Sequence, residues 1–171
     1  MQTRTSAKLF GRFTPPLRPV LKSICGVRGS RACSILIVEH QLPIAELTEH
    51  YLIGHGYKVC GIARTADQAV ALGLRHKPDF ALIDLRLAGG GRGTEVAARL
   101  ASVPNLGILY VADEMSEVDL SAIHGHACLK RPYRLADLVL ALEIVNDLVA
   151  ADRTSLPMPR GFRILAHAVT A

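Results

Sequence analysis

A chain of 171 residues, half of them hydrophobic, can bury one good core but is short for two ordinary domains and too apolar for a disordered protein. The formal net charge of +5 is unevenly placed, because Arg4, Lys8, Arg12, Arg18, Lys22, Arg28 and Arg31 all precede the first acidic residue, Glu39. Setting those aside leaves 13 basic against 15 acidic residues, so the remainder is slightly acidic and no long apolar run suggests a membrane span.

Residues 1–33 read as a basic, disordered arm, broken by Pro15, Pro16 and Pro19 and lacking the apolar stretch of a secretion signal. A transit peptide or a tether to a membrane surface or nucleic acid are the alternatives. The nucleic-acid reading is weak, since only Phe10 and Phe13 interleave the basic residues. The cysteines Cys25, Cys33, Cys60 and Cys128 have neither C-x-x-C nor metal-ligand spacing, which points to a reducing cytoplasm and free thiols.

From Ser34 onward, strand and helix patterns alternate. Ile35–Val38 is a β-branched run suited to a strand buried on both faces. Ile44, Leu47 and Tyr51 then recur at helical spacing until Gly54-His55-Gly56. Tyr57–Ala63 reads as a second strand, followed by a helix from an N-cap at Thr65 to His76. Phe80–Ile83 is a third strand running into Asp84. Beyond a glycine-rich loop, Gly89-Gly90-Gly91 and Gly93, a helix carries Val96, Ala97, Leu100 and Val103 on one face. Leu106–Val111 is the fourth strand, Met115, Val118 and Ala122 outline a short helix, Ala127–Leu129 is the fifth strand, and Leu135–Val149 is the longest helix. This order predicts one α/β domain over 34–150, a doubly wound five-stranded parallel sheet with helices on both faces and strand order 2-1-3-4-5. Residues 151–171 read as a tail in which no output domain fits.

In such folds the chemistry sits where strands end at their carboxyl edge. There the sequence places Glu39-His40, Asp84, Ala112-Asp113-Glu114 and Lys130-Arg131-Pro132. Acidic oxygens beside a cation suit a divalent metal and a phosphoryl group, and an aspartate can act as the nucleophile in forming an acyl phosphate.

Three stretches then carry a resemblance: Ile35-Leu36-Ile37-Val38-Glu39, Pro78-Asp79-Phe80-Ala81-Leu82-Ile83-Asp84, and Leu129 through Tyr133. Over about residues 34–149 the chain resembles the receiver domains of two-component response regulators, most of all the stand-alone receivers of alphaproteobacteria. The resemblance implies a flavodoxin-like fold with Asp84 as phosphoacceptor. It implies Mg²⁺ held by Glu39, Asp84 and the backbone carbonyl of Arg86. It also implies a cis peptide before Pro132. His40 stands at the second acidic position, and an imidazole is a poor Mg²⁺ ligand. Ala112 replaces the Thr or Ser that contacts the phosphoryl group. Arg131 replaces the lysine before the proline, with Lys130 one step earlier, and strand alternation lets only one of the two face the site. Cys128 stands where the switch aromatic belongs. A metal site that is weakened or lost follows from these departures.

Arg86 and Glu114 flank the entrance, where an ion pair would gate access or merely decorate the surface at ~0–1 kcal/mol. In the last helix, Leu140, Ile144 and Leu148 add a second apolar stripe to the one formed by Leu135, Leu138, Leu142, Val145 and Val149. That stripe reads either as a homodimer or partner face on the last strand and helix, or as a surface covered by Phe162, Ile164 and Leu165. The functional expectation is a non-enzymatic single-domain response regulator. It would take phosphate from a histidine kinase or phosphotransfer protein and act on a downstream protein by contact. The alternative is a pseudo-receiver that binds its partner without phosphate. An aspartate-nucleophile phosphatase is disfavoured, because Asp84-Leu85-Arg86 puts a cation where its second carboxylate would stand.

Overall fold

A computed structural model describes residues 31–114 and 124–165. In chain order these form β1 (Ser34–Val38), α1 (Leu42–Gly54), β2 (Lys58–Ala63), α2 (Ala66–His76), β3 (Phe80–Asp84), α3 (Gly93–Arg99), β4 (Gly107–Ala112), β5 (Ala127–Lys130), α4 (Leu135–Ala151) and β6 (Phe162–Ile164). The helix expected at Met115, Val118 and Ala122, and the arm up to residue 30 with Cys25, lie outside the described residues.

Local signals account for the element ends. Thr65 caps α2 by accepting a hydrogen bond from the Gln68 amide, and Lys77 closes that helix in the left-handed region at φ 45°. Pro43 lies in the first turn of α1, where its missing amide costs nothing. Arg134 and Asp137 exchange hydrogen bonds at the start of α4.

The strands build one sheet in the order β2-β1-β3-β4-β5-β6, parallel throughout except for β6, which runs antiparallel to β5. The doubly wound flavodoxin-like order expected for five strands is present, and a sixth strand extends it. Alternation sends Leu36, Val38, Ala81, Ile83 and Ile108 toward α2 and α3. Ile35, Ile37, Phe80, Leu82 and Leu109 face α1 and α4 on the other side. Burial on both faces is why β1, β3 and β4 read as unbroken apolar runs.

The register of β1 against β3 sets the site. Asp79 is buried and accepts hydrogen bonds from the Ser34 amide (2.9 Å), the Ser34 hydroxyl (3.0 Å) and Arg31 (2.8 Å), tying the two strands at their amino ends. At the opposite end Val38 pairs with Ile83, so Glu39 and Asp84 leave the sheet side by side.

The tail adds a strand to the five that the sequence suggests: Phe162–Ile164 pair with Leu129, Cys128 and Ala127 along the outer edge of β5. The Thr154 hydroxyl donates to Asp147 at 2.8 Å, turning the chain back along α4. Gly161, at φ 76°, turns the chain into β6, and its carbonyl accepts the Lys130 amide at 2.9 Å. Phe162 joins the core beside α4, while Leu165 is buried on the opposite side of the sheet. Ile144 and Leu148 are buried within a single chain. Leu140, the third residue of the second apolar stripe, is half-buried, and the outer edge of β5 is occupied by β6.

Cys128 pairs in register with Tyr110 of β4, and both are fully buried. Burial pushes the Tyr110 phenol upward and the Cys128 thiol up to about 11, from an ordinary value of 9.0. An unfolded chain releases the Cys128 proton first, so this residue's contribution to stability is intact below about pH 9 and is lost as pH rises through about 11. Urea unfolding at stepped alkaline pH should show about 2–3 kcal/mol of loss across that window, and Cys128→Ala should flatten the slope.

Candidate functional site

The carboxyl edge gathers side chains from three strands. Glu39 follows β1, Asp84 ends β3, and Arg131 follows β5, its amide bonded to the Ala112 carbonyl at 2.8 Å. The peptide between Arg131 and Pro132 is cis. Glu39 and Asp84 are both buried, with side chains only 5% exposed, and the Arg131 side chain is 19% exposed.

One guanidinium spans the two acids. Arg131 donates one nitrogen to Glu39 Oε2 at 2.5 Å and the other to Asp84 Oδ2 at 3.3 Å. The remaining oxygens are held by backbone: Glu39 Oε1 accepts the Gln41 amide (2.8 Å), and Asp84 Oδ1 accepts the Arg86 amide (3.1 Å). Burial pushes the Glu39 carboxyl above its ordinary range, Asp84 adding to the rise while the Gln41 amide, Arg131 and His40 oppose it. Burial works against the charge on Arg131, yet Asp84 and Glu39 hold its proton more tightly than usual. A small cavity beneath the acids is lined by Ile37, Thr48, Val111 and Tyr133.

His40 lies over both acids. Its buried Nδ1 is 3.3 Å from Glu39 Oε1 and 3.5 Å from Asp84 Oδ2, but makes no hydrogen bond. Glu39, His40 and Asp84 form a cluster that could hold an ion. Mg²⁺, however, prefers about six oxygen ligands in strict octahedral array. Here there are two carboxylates, each with an oxygen bonded to Arg131, beside an imidazole. One or two carboxylates with several waters suffice for Mg²⁺, but with the Arg131 guanidinium seated on both acids these residues do not fit it.

Lys130 is exposed and points away while Arg131 turns in. Ala112 is buried at the end of β4 and offers no hydroxyl. Arg86 is 61% exposed and pairs with Asp113. Asp113 also lies 3.8 Å from Arg131, linking the outer pair to the inner one. Its role had no sequence signal beyond its place after β4.

Gly93 is a second residue whose role emerges only in three dimensions. A Cβ there would lie 2.4 Å from the Asp84 carbonyl oxygen and 2.7 Å from an Ile83 methyl. The first turn of α3 therefore rests directly on β3, with the Gly93 amide bonded to the Leu85 carbonyl at 2.9 Å.

No protein-family model matches the chain. It is 27% identical over 113 residues to the transcriptional regulatory protein PdtaR of Mycobacterium tuberculosis, a match that covers 64% of this chain and 55% of PdtaR. The chain thus spans about half the length of the curated relatives it matches. Among solved structures, the signal receiver domain of a modulated diguanylate cyclase from Desulfovibrio desulfuricans G20 superposes with a TM-score of 0.61 at 27% identity, covering 71% of this chain and 99% of that one. A CheY-like response regulator receiver domain from Methylobacillus flagellatus gives 0.58 at 19% identity, over 67% of this chain and 98% of its own. In fold, the described residues match response-regulator receiver domains. At the carboxyl edge Glu39 and Asp84 cluster with His40, and Arg131 pairs with both acids.

Replacing Gly93 by alanine should destabilise the protein by about 1–3 kcal/mol, since the new methyl must push the end of β3 aside. Urea unfolding measures the loss. Gly91→Ala, where a Cβ meets nothing closer than 3.5 Å, should lose far less.

Proposed function

We propose that this chain is a non-enzymatic signalling receiver that takes phosphate on Asp84 from a histidine kinase or phosphotransfer protein and passes its signal on by protein contact. The observation that carries this reading is the single guanidinium of Arg131 beside the Asp84 carboxylate at the end of β3. An Asp84 oxygen attacks the phosphorus of a phosphohistidine, the P–O bond forms as the P–N bond breaks, and the departing imidazole takes up a proton. Arg131 neutralises charge on the phosphoryl oxygens as they approach, a role that needs fixed positive charge at short range. The Arg86 amide keeps the other Asp84 oxygen oriented.

Two observations favour a second reading, a pseudo-receiver that binds its partner without a phosphate cycle. Both acids are already engaged by Arg131, and Ala112 supplies no hydroxyl to sense a phosphoryl group. The cytoplasm suits either reading, and no helix among the described residues is long and apolar enough to cross a membrane.

Intact-mass measurement after incubation with phosphoramidate separates the two. The first reading expects one phosphoryl adduct on the wild type and none on Asp84→Asn. A folded wild type that stays unmodified supports the pseudo-receiver.

A further inference from the structure

We propose that Arg131 is the resident cation of the acidic edge: its guanidinium takes the place of a divalent ion between Glu39 and Asp84, and divalent ions bind there only when that charge is removed. This stands on geometry alone and holds whether or not Asp84 is phosphorylated.

Two buried carboxylates side by side repel each other and lose hydration, so the pair needs a positive charge between them. In this chain the charge is covalently attached. Arg131 enters from the end of β5, held by its amide on Ala112, and its planar fork gives one nitrogen to each acid. A lysine ammonium is a point charge and would not bridge the two in this way. All four carboxylate oxygens are engaged, two by Arg131 and two by backbone amides.

An arriving ion would have to strip the guanidinium from both acids and then sit a few ångströms from its positive charge, which besides them meets the Tyr133 side chain and Asp113. Asp113, 3.8 Å from Arg131, is half exposed and already paired with Arg86. His40 is a lesser obstacle beside the two acids. Its Nδ1 presents nitrogen rather than oxygen to any ion between the acids.

The test uses the full chain and Mn²⁺, a hard divalent ion whose free form is counted by electron paramagnetic resonance. Wild type should leave the free Mn²⁺ signal unchanged at millimolar ion. Arg131→Ala should bind Mn²⁺ at least about a hundredfold more tightly, and its melting temperature should rise with added Mg²⁺ while that of the wild type does not. Arg131→Met, which keeps the stem and removes only the charge, serves where the alanine variant fails to fold. His40→Asp, which adds a third carboxylate with Arg131 kept, should bind no better than wild type. Three results would overturn the proposal. One is wild type binding Mn²⁺ as tightly as the Arg131 variants. A second is folded Arg131→Ala and Arg131→Met that both fail to bind. The third is a gain in His40→Asp alone, which would place the bar at the missing acid.

Discussion

Two carboxylates that leave adjacent parallel strands at the same level must be buried together, and one arginine from a third strand makes that tolerable. Glu39 and Asp84 are neighbours because Val38 and Ile83 are register partners, so their proximity is a property of the sheet rather than of any loop. The sheet in turn keeps that register through the Asp79 network at the other end of the same two strands. Buried carboxylates at both ends of β1 and β3 thus fix how the strands align, one by backbone and hydroxyl donors, the other by a guanidinium.

That arrangement costs function some freedom. A charge pair this enclosed is strongly disrupted when one partner is removed, while replacing the whole set by apolar groups is often tolerated. The exposed pair of Arg86 and Asp113 belongs to a different regime, being open to water and salt and of small energetic weight. The inner and outer pairs share Asp113, so a change in the outer one reaches Arg131 only through a contact of 3.8 Å.

Much of this was legible in the sequence, and for physical reasons. Ile35–Val38 and Phe80–Ile83 are apolar at every position because helices cover both sides of those strands. The residues following such runs are then forced to the carboxyl edge, which identified Glu39, Asp84 and Arg131 as neighbours in advance. Strand alternation also separates Lys130 from Arg131, and the structure turns Arg131 inward. What escaped was short or depended on three-dimensional contact. Phe162-Arg163-Ile164 is only three residues, too few for a period-two pattern to stand out from a tail. Gly93 reads as part of a glycine-rich loop, whereas its missing side chain lets α3 rest on the Asp84 backbone.

The sixth strand also decides where this sheet can grow. Open sheet edges invite another chain to add a strand, and proteins blunt them by covering or charging them. At β5 the chain covers its own edge with β6, so an extended peptide could join there only by displacing Phe162 and Leu165 from the core. The opposite border is β2, which opens with the exposed Lys58 and has half-buried residues along most of its length. Any strand exchange between molecules at the β5 side therefore begins with the release of three residues, a step that ties such assembly to local unfolding of the tail.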